Sequence, residues 1–263
     1  NQANAVTSGL PRYIEAARYW MQYSGIPDSI YNYTDSKNDY VDDYAARGIW
    51  VNYLAGGSAA NPKEAGLKIP LHMSLAFHTD AGVKKDMIGT LIIYKDHDDE
   101  KCKTYPTGKS RIVARDLADY MQTQIVNDMR AVYAPEWTRR QLNNSSYAEV
   151  RHPKVPAVLL ELLSHQNMTD MQYGLDPRVR FTISRAMYKS IKDAMKSFEC
   201  QLHKGVPIDT NWMEPCARLP LVATILMDFS MHITSISHGP SSIRSLNSVP
   251  TRMMSFSADV SES

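Results

Sequence analysis

The sequence predicts an α/β fold in which a mostly parallel or mixed central sheet is flanked by helices. Two strand-like segments, residues 69–78 and 155–162, are separated by segments with helical periodicity, and this alternation is typical of the class. The length of 263 residues allows one large domain, or one of about 200 residues followed by the beginning of a second. We also expect a short β-rich or irregular C-terminal extension.

Composition argues against several function classes. Lys and Arg total 29 and Asp and Glu total 28, so the net charge of +1 gives no electrostatic reason to expect nucleic acid as a partner. No apolar stretch approaches the roughly 20 residues of a membrane helix, so membrane insertion is not expected. The three cysteines lack CxxC spacing and indicate neither a disulfide framework nor a zinc knuckle.

Local patterns place the elements along the chain. Apolar residues at helical spacing predict helices over residues 11–24, 39–54, 114–133 and 176–198. Aromatic, β-branched and alternating residues predict strands over residues 29–34, 69–78, 89–94 and 155–162. Helical periodicity is lost from residue 200 onward, where the one strand-like piece is 228–234. We therefore expect a main domain over residues 1–199 and a linker leading into a small β module over residues 200–263.

Glu161 is unusual because it lies in the otherwise uncharged run from Val155 to Leu162. A charge in such a buried strand costs several kcal/mol, about 3–5, unless it is paired, hydrogen-bonded or metal-linked. We expect Glu161 near the C-terminal end of its strand, the edge where ligands and catalytic groups collect in open α/β sheets. The alternative is a structural ion pair with an Arg of a neighbouring helix.

His78 ends the other clear strand, in which apolar residues alternate with the set that contains His78. If the two strands run parallel in one sheet, His78 and Glu161 share an edge. Imidazole is a common zinc ligand, and a nearby carboxylate can take a proton from zinc-bound water, a combination that hydrolyses amides. The alternative is a hydrogen-bonded histidine without a ligand. Asp80 would orient His78 or lie in an exposed loop, and residues 96–103 form a solvated loop or, less simply, a metal-binding run.

The two strands resemble those of the zinc-dependent N-acetylmuramoyl-L-alanine amidases of the type-3 class, especially amidase-like modules of large secreted proteins from Bacteroidetes bacteria. Segment 74–81 is similar to the family's strand that supplies a zinc-binding His, with His78 at the ligand position. Segment 156–161, followed by Asn167, is similar to the strand that supplies the catalytic Glu, with Glu161 at that position. The resemblance covers residues 11–198. Further matches in family order are Thr34, Asp39, Arg47, Arg139, Arg140, residues 146–151, Asp170 and residues 175–177.

This resemblance implies zinc as the cofactor, peptidoglycan or another glycan-peptide as the substrate, and cleavage of the lactyl to L-alanine bond. It also implies a secreted, periplasmic or cell-surface location in a bacterium. Two family motifs have no counterpart: the first zinc His and the Glu ligand that follows it. Glu15 is the nearby carboxylate, but it falls too late in the chain. We therefore expect either that the family's N-terminal strand is missing or that the metal site is degenerate.

The tail over residues 219–244 weakly resembles the first strands of a fibronectin type III module. A second function class also stays open, a non-catalytic amidase-like module that binds glycan or joins a larger surface assembly. A serine or cysteine hydrolase has little support, because the sequence contains no Gly-x-Ser-x-Gly elbow. The sequence leaves the oligomeric state open.

Overall fold

The computed structural model describes residues 8–202 and two later strands, residues 223–227 and 254–256; for residues 197–202 and for these two strands it describes the backbone alone. The helices are α1 (Arg12–Glu15), α2 (Ala17–Tyr23), α3 (Asp28–Tyr31), α4 (Asp39–Ala55), α5 (Ile112–Val132), α6 (Ala148–Arg151), α7 (Met168–Gly174) and α8 (Pro177–Leu202). The strands are β1 (Met73–Asp80), β2 (Leu91–Tyr94), β3 (Asn143–Asn144), β4 (Ala157–Ser164), β5 (Ala223–Met227) and β6 (Met254–Phe256).

The strands form one mixed sheet in the order β3-β2-β4-β1-β5-β6. At its centre β4 runs parallel to β1 and antiparallel to β2. On the far side β1 pairs in parallel with β5, which pairs antiparallel with β6. This mixed sheet flanked by helices confirms the predicted fold class.

The two faces of the sheet pack against different helices. One face packs against the buried apolar sides of α5 and α8. Alternate residues of the two central strands lie on this face: Met73, Leu75 and Phe77 of β1, and Val158, Leu160 and Leu162 of β4. On the opposite face Ala76 of β1 and Leu159 of β4 pack against Val150 of α6. Because side chains alternate along a strand, His78 follows Ala76 and Glu161 follows Leu159 onto the α6 face.

A second core cluster lies beside the sheet. It joins α2, α3 and α4 through buried residues that include Met21, Tyr31 and Val51, and it reaches Val155 just before β4. The side chain of Asn38 caps α4 by accepting a hydrogen bond from the N–H of Val41 at 3.2 Å. This cap satisfies one of the free backbone N–H groups at the start of α4.

The predicted helices over 39–54, 114–133 and 176–198 correspond to α4, α5 and α8. The helix expected over 11–24 is divided into α1 and α2, because Ala16 is extended with φ −135° and ψ 135°. The strand expected over 29–34 is wrong. A single helical turn, α3, forms there instead: Pro27 precedes it, Asp28 stands in its first turn, and it buries Tyr31. This packing outweighs the β propensity of the segment.

The strands over 69–78, 89–94 and 155–162 begin two to four residues later than predicted, as β1, β2 and β4. Strand β4 also ends later than predicted, at Ser164, so Glu161 is the fifth of its eight residues, with three more strand residues after it. The strand expected over 228–234 lies outside the described residues, and the division at residue 199 remains a prediction. In the described part of the chain, no helix combines the length and the apolar character that crossing a membrane would require.

Candidate active site

His78 and Glu161 are direct neighbours across the parallel pair β1 and β4. Their Cα atoms are register partners, in a ladder that begins at Ser74 and Ala157. Because both side chains point to the α6 face, the sheet holds an imidazole and a carboxylate side by side. The expectation that the two strands run parallel and bring His78 and Glu161 together is met, although three residues of β4 follow Glu161. The catalytic and ligand roles of the two residues remain predictions.

The Glu161 carboxyl group is the most perturbed acid of this site. Its Oε2 atom is buried and has no hydrogen-bond partner among the described residues. The pKa of Glu161 is raised to about 7, chiefly by burial and next by the Asp80 carboxylate, while the Arg140 guanidinium opposes both. A weaker upward contribution comes from Glu149. Near neutral pH, Glu161 can therefore both accept and release a proton.

Asp80 and Arg140 form an ion pair next to this carboxyl group, with Arg140 Nη1 2.6 Å from Asp80 Oδ2. The backbone of Arg140 is held on both sides: its N–H donates to the carbonyl of Thr90 at 3.0 Å, and its carbonyl accepts from Gln122 Nε2 at 2.9 Å. Gln122 is fully buried. Asp80 is thus an ion-paired residue at the end of β1, and its role in orienting His78 remains a prediction.

Glu149 is a member of the site that sequence reasoning did not single out. It lies on the four-residue helix α6 and is 5% exposed. Its Oε1 atom is 3.5 Å from His78 Nε2 and 3.2 Å from Arg47 Nη1 of α4. Arg47 and the segment 146–151 are similar to the family pattern, but a four-residue helix has no periodicity that would mark a buried carboxylate within it.

The position of α6 is set by its close contact with α4. A methyl group on Gly48 would lie 2.6 Å from the carbonyl oxygen of Ala148 and 2.9 Å from His152 Cβ, so only glycine permits this approach. Asn52 joins the two segments with two hydrogen bonds, one from its Nδ2 atom to the carbonyl of His152 at 2.9 Å and one to its Oδ1 atom from the N–H of Lys154 at 2.7 Å. Helix α6, which carries Glu149, is therefore held against α4.

The end of the sheet beyond the two site residues is held by Asp170 of α7. Its carboxylate, which is fully buried, accepts backbone hydrogen bonds from Ile88 at 2.9 Å, Gly89 at 3.1 Å and Ser164 at 2.9 Å. These bonds tie the loop before β2 to the last residue of β4. The register of β1 and β4 becomes irregular at the same place, between His78 and Asp80.

The donors found in the structure do not complete a metal site. Among the described residues no group of three or more His, Cys, Asp or Glu side chains is arranged to hold a metal ion. Glu15 is exposed on α1, and the run over 96–103 is a loop in which Asp96 pairs with His97 at 2.7 Å. His78 has the acidic neighbours Glu149 and Glu161, but these three residues do not form a zinc ligand set here.

The comparisons with known proteins agree with the motifs of the two strands. Residues 59–193 match the family Amidase_3, described as N-acetylmuramoyl-L-alanine amidase. No curated protein matches the sequence.

Two solved structures show the extent of the similarity. The N-acetylmuramyl-L-alanine amidase Ami1 from Mycobacterium smegmatis is 20% identical over 48% of this chain and 55% of its own, with a TM-score of 0.37. The N-acetylmuramoyl-L-alanine amidase from Clostridium difficile 630 is 13% identical over 68% of this chain and 81% of its own, with a TM-score of 0.41. The chain thus spans 55% of the length of the Mycobacterium enzyme. Because the family match covers residues 59–193, just over half of the 263 residues, the chain belongs to the N-acetylmuramoyl-L-alanine amidase family Amidase_3.

Proposed function

We propose that this chain is an amide hydrolase that cleaves the lactyl to L-alanine bond of peptidoglycan. Family membership supports the reaction class. The observation that carries the proposal is the buried Glu161 carboxyl group, whose pKa of about 7 fits proton transfer at neutral pH, held beside His78 by the register of β1 and β4.

In the proposed reaction, water attacks the amide carbonyl carbon and Glu161 accepts the proton of the water. Glu161 then passes this proton to the nitrogen of L-alanine, which leaves as an amine when the carbon to nitrogen bond breaks. The Asp80 carboxylate adds to the rise in the Glu161 pKa that burial causes, and the Arg140 guanidinium opposes it, so that Glu161 ionises near neutral pH.

Zinc is a further proposal. The family is generally zinc-dependent, and we propose His78 as one ligand. The described residues do not supply the remaining ligands, so no step of the reaction above is assigned to a metal. The test is metal analysis of the full chain after zinc loading. Stoichiometric zinc that is lost in His78→Ala supports the proposal, and equal zinc content in the two proteins contradicts it.

The activity test uses purified peptidoglycan fragments and measures the release of peptides with a free L-alanine amino terminus. We expect Glu161→Gln to lower kcat/KM by about 10²- to 10⁴-fold, because the amide cannot accept the proton. Glu136→Gln is the matched control, since Glu136 is exposed and lies outside the site. In the wild type kcat/KM should rise about tenfold per pH unit below pH 7 and level off above it. Equal activity in wild type and Glu161→Gln would contradict the role of Glu161.

The alternative proposal is a non-catalytic amidase-like module that binds peptidoglycan or joins a surface assembly. It is favoured by the ion pairs already present inside the site, Asp80 with Arg140 and Glu149 with Arg47. Such a module would cosediment with insoluble peptidoglycan to the same extent in wild type and Glu161→Gln, without releasing any peptide. A bacterial extracytoplasmic location, the Bacteroidetes-type module and a fibronectin type III-like tail are proposed on the resemblance alone.

A further inference from the structure

We propose that Glu149 is a positioning residue, which holds the neutral His78 ring as the tautomer with hydrogen on Nε2 and leaves Nδ1 as its acceptor nitrogen. This inference rests on the proposed function for its catalytic meaning. The orientation of the ring itself can be measured without any activity.

The first support is the geometry around the Glu149 carboxylate. Its Oε1 atom lies 3.5 Å from His78 Nε2. Both side chains are largely buried, since that of Glu149 is 6% exposed and that of His78 is 19% exposed. A carboxylate can only accept hydrogen bonds, and a neutral imidazole carries hydrogen on one nitrogen. A carboxylate facing Nε2 therefore favours the ring in which Nε2 carries that hydrogen.

The second support is that Glu149 is itself held in place by a chain of charges. Arg47 Nη1 is 3.2 Å from Glu149 Oε1, and Arg47 Nη2 is 2.8 Å from Asp43 Oδ2. The other oxygen of Asp43 accepts a hydrogen bond from the backbone N–H of Arg18 at 3.0 Å. The carboxylate is thus linked through Arg47 and Asp43 of α4 to the backbone of α2.

The third support is the rigidity of the helix that carries Glu149. The close approach of Gly48 to Ala148, together with the two hydrogen bonds of Asn52, prevents α6 from sliding along α4. Because Glu149 lies on a fixed helix and faces His78 on a central strand, it restricts the orientation of the imidazole ring. Such supporting contacts are a common way to orient a functional histidine.

The direct test is nitrogen-15 NMR of the histidine side chains in the full chain, recorded with EDTA at about pH 9, where model imidazoles are neutral. The chain has eight histidines, so the signals of His78 are identified as those missing from His78→Gln. We expect the pattern of an Nε2-protonated ring in the wild type. An Nδ1-protonated ring in the wild type would overturn the inference before any variant of Glu149 is made.

Variants of Glu149 extend this test. In Glu149→Ala we expect His78 to lose its single tautomer and to give averaged signals. Glu149→Gln should retain the wild-type pattern, because the amide oxygen can still accept from Nε2. Glu136→Ala is the control and should leave the signals unchanged, since Glu136 is exposed. His78 signals in folded Glu149→Ala that are identical to those of the wild type would contradict the role of Glu149.

Kinetics then connect the ring to the reaction. We expect Glu149→Ala to lower kcat by about 10- to 100-fold with little change in KM, and Glu149→Gln to recover most of the loss. A KM effect without a kcat effect would contradict positioning. If the wild type hydrolyses no peptidoglycan but the NMR pattern responds to Glu149→Ala, the proposed function fails while the positioning of His78 stands.

Discussion

Arg140 holds the Asp80 carboxylate at 2.6 Å, and the two charges act on the pKa of Glu161 in opposite directions. Neither residue needs to touch the substrate to change the reaction. The pair acts as a local electrostatic balance, because the Asp80 charge favours the protonated form of Glu161 and the Arg140 charge favours the ionised form.

Removing the Asp80 charge and removing the Arg140 charge should shift the pH dependence of the reaction in opposite directions. In Asp80→Asn the raising charge is removed while Arg140 remains, so we expect the acidic limb of the kcat/KM profile to move to lower pH. In Arg140→Gln the limb should move to higher pH. The surface variant Asp119→Asn, which loses an exposed pair with Arg139, should not move it. Shifts of both site variants in the same direction would contradict the assignment of Glu161 as the titrating group.

The raised pKa of Glu161 also predicts a pH dependence of stability. The group binds its proton more tightly in the folded chain, with a pKa of about 7, than at its ordinary value of 4.5. Its contribution to stability is therefore complete below pH 4.5 and is lost as the pH rises through 7. We expect the free energy of unfolding of the wild type, relative to Glu161→Gln, to fall by at most about 3 kcal/mol across this range.

This difference is measured by urea unfolding of both proteins between about pH 3.5 and about pH 8, a range that brackets the ordinary pKa of 4.5 and the folded pKa of about 7 of Glu161. Glu136→Gln serves as the reference, and its difference from the wild type should not vary with pH. A constant difference for Glu161→Gln as well would show that folding does not raise the proton affinity of Glu161.

Asp170 is expected to contribute to stability rather than to catalysis. Asp170→Asn replaces one acceptor oxygen by an NH₂ group that faces the backbone N–H groups of Ile88, Gly89 and Ser164. We expect a loss of about 2–3 kcal/mol in the free energy of unfolding, since charge-assisted bonds in the interior are replaced by a donor facing a donor. Asp119→Asn should cost less than about 1 kcal/mol, because its side chain is 58% exposed. Equal costs for the two variants, measured in urea, would contradict this view of Asp170.

The sign of the stability change in Gly48→Ala tests the close contact between α4 and α6. Alanine usually stabilises a helix interior relative to glycine by about 1 kcal/mol. At Gly48 the added methyl group would meet the backbone of Ala148, so we expect Gly48→Ala to destabilise the chain by about 1–3 kcal/mol. In Gly174→Ala the nearest atom is the flexible end of Leu163 at 3.1 Å, and the change should be small. The stability of both variants is measured by thermal unfolding. Stabilisation by Gly48→Ala would disprove the close contact between α4 and α6.

The pairing of His78 with Glu161 could be predicted because each of the two strands has a recognisable local sequence pattern. An alternating segment and an apolar run each place one polar residue near a strand end, and two neighbouring parallel strands bring such residues together. The single turn at Asp28 to Tyr31 could not be predicted this way, because its β-favouring composition is overridden by the burial of Tyr31 against α4.

The identity of the third site residue depended on information that no local pattern contains. Glu149 belongs to a helix of four residues, too short for an apolar stripe, and its partners Arg47 and His78 lie far away in the sequence. A buried charge on so short a segment is explained only by the tertiary contacts that neutralise it. The same holds for Arg140, whose backbone is held by Gln122 of α5.

The bridge made by Asn52 has a consequence for how the site comes into existence. Its hydrogen bonds to His152 and Lys154 join residues that are 100 and 102 positions apart, and the Arg47 to Glu149 pair spans 102 as well. Contacts of such separation form only after a long loop has closed, at an entropic cost that local structure does not repay. The placement of Glu149 beside His78 therefore cannot precede the meeting of α4 and α6 during folding.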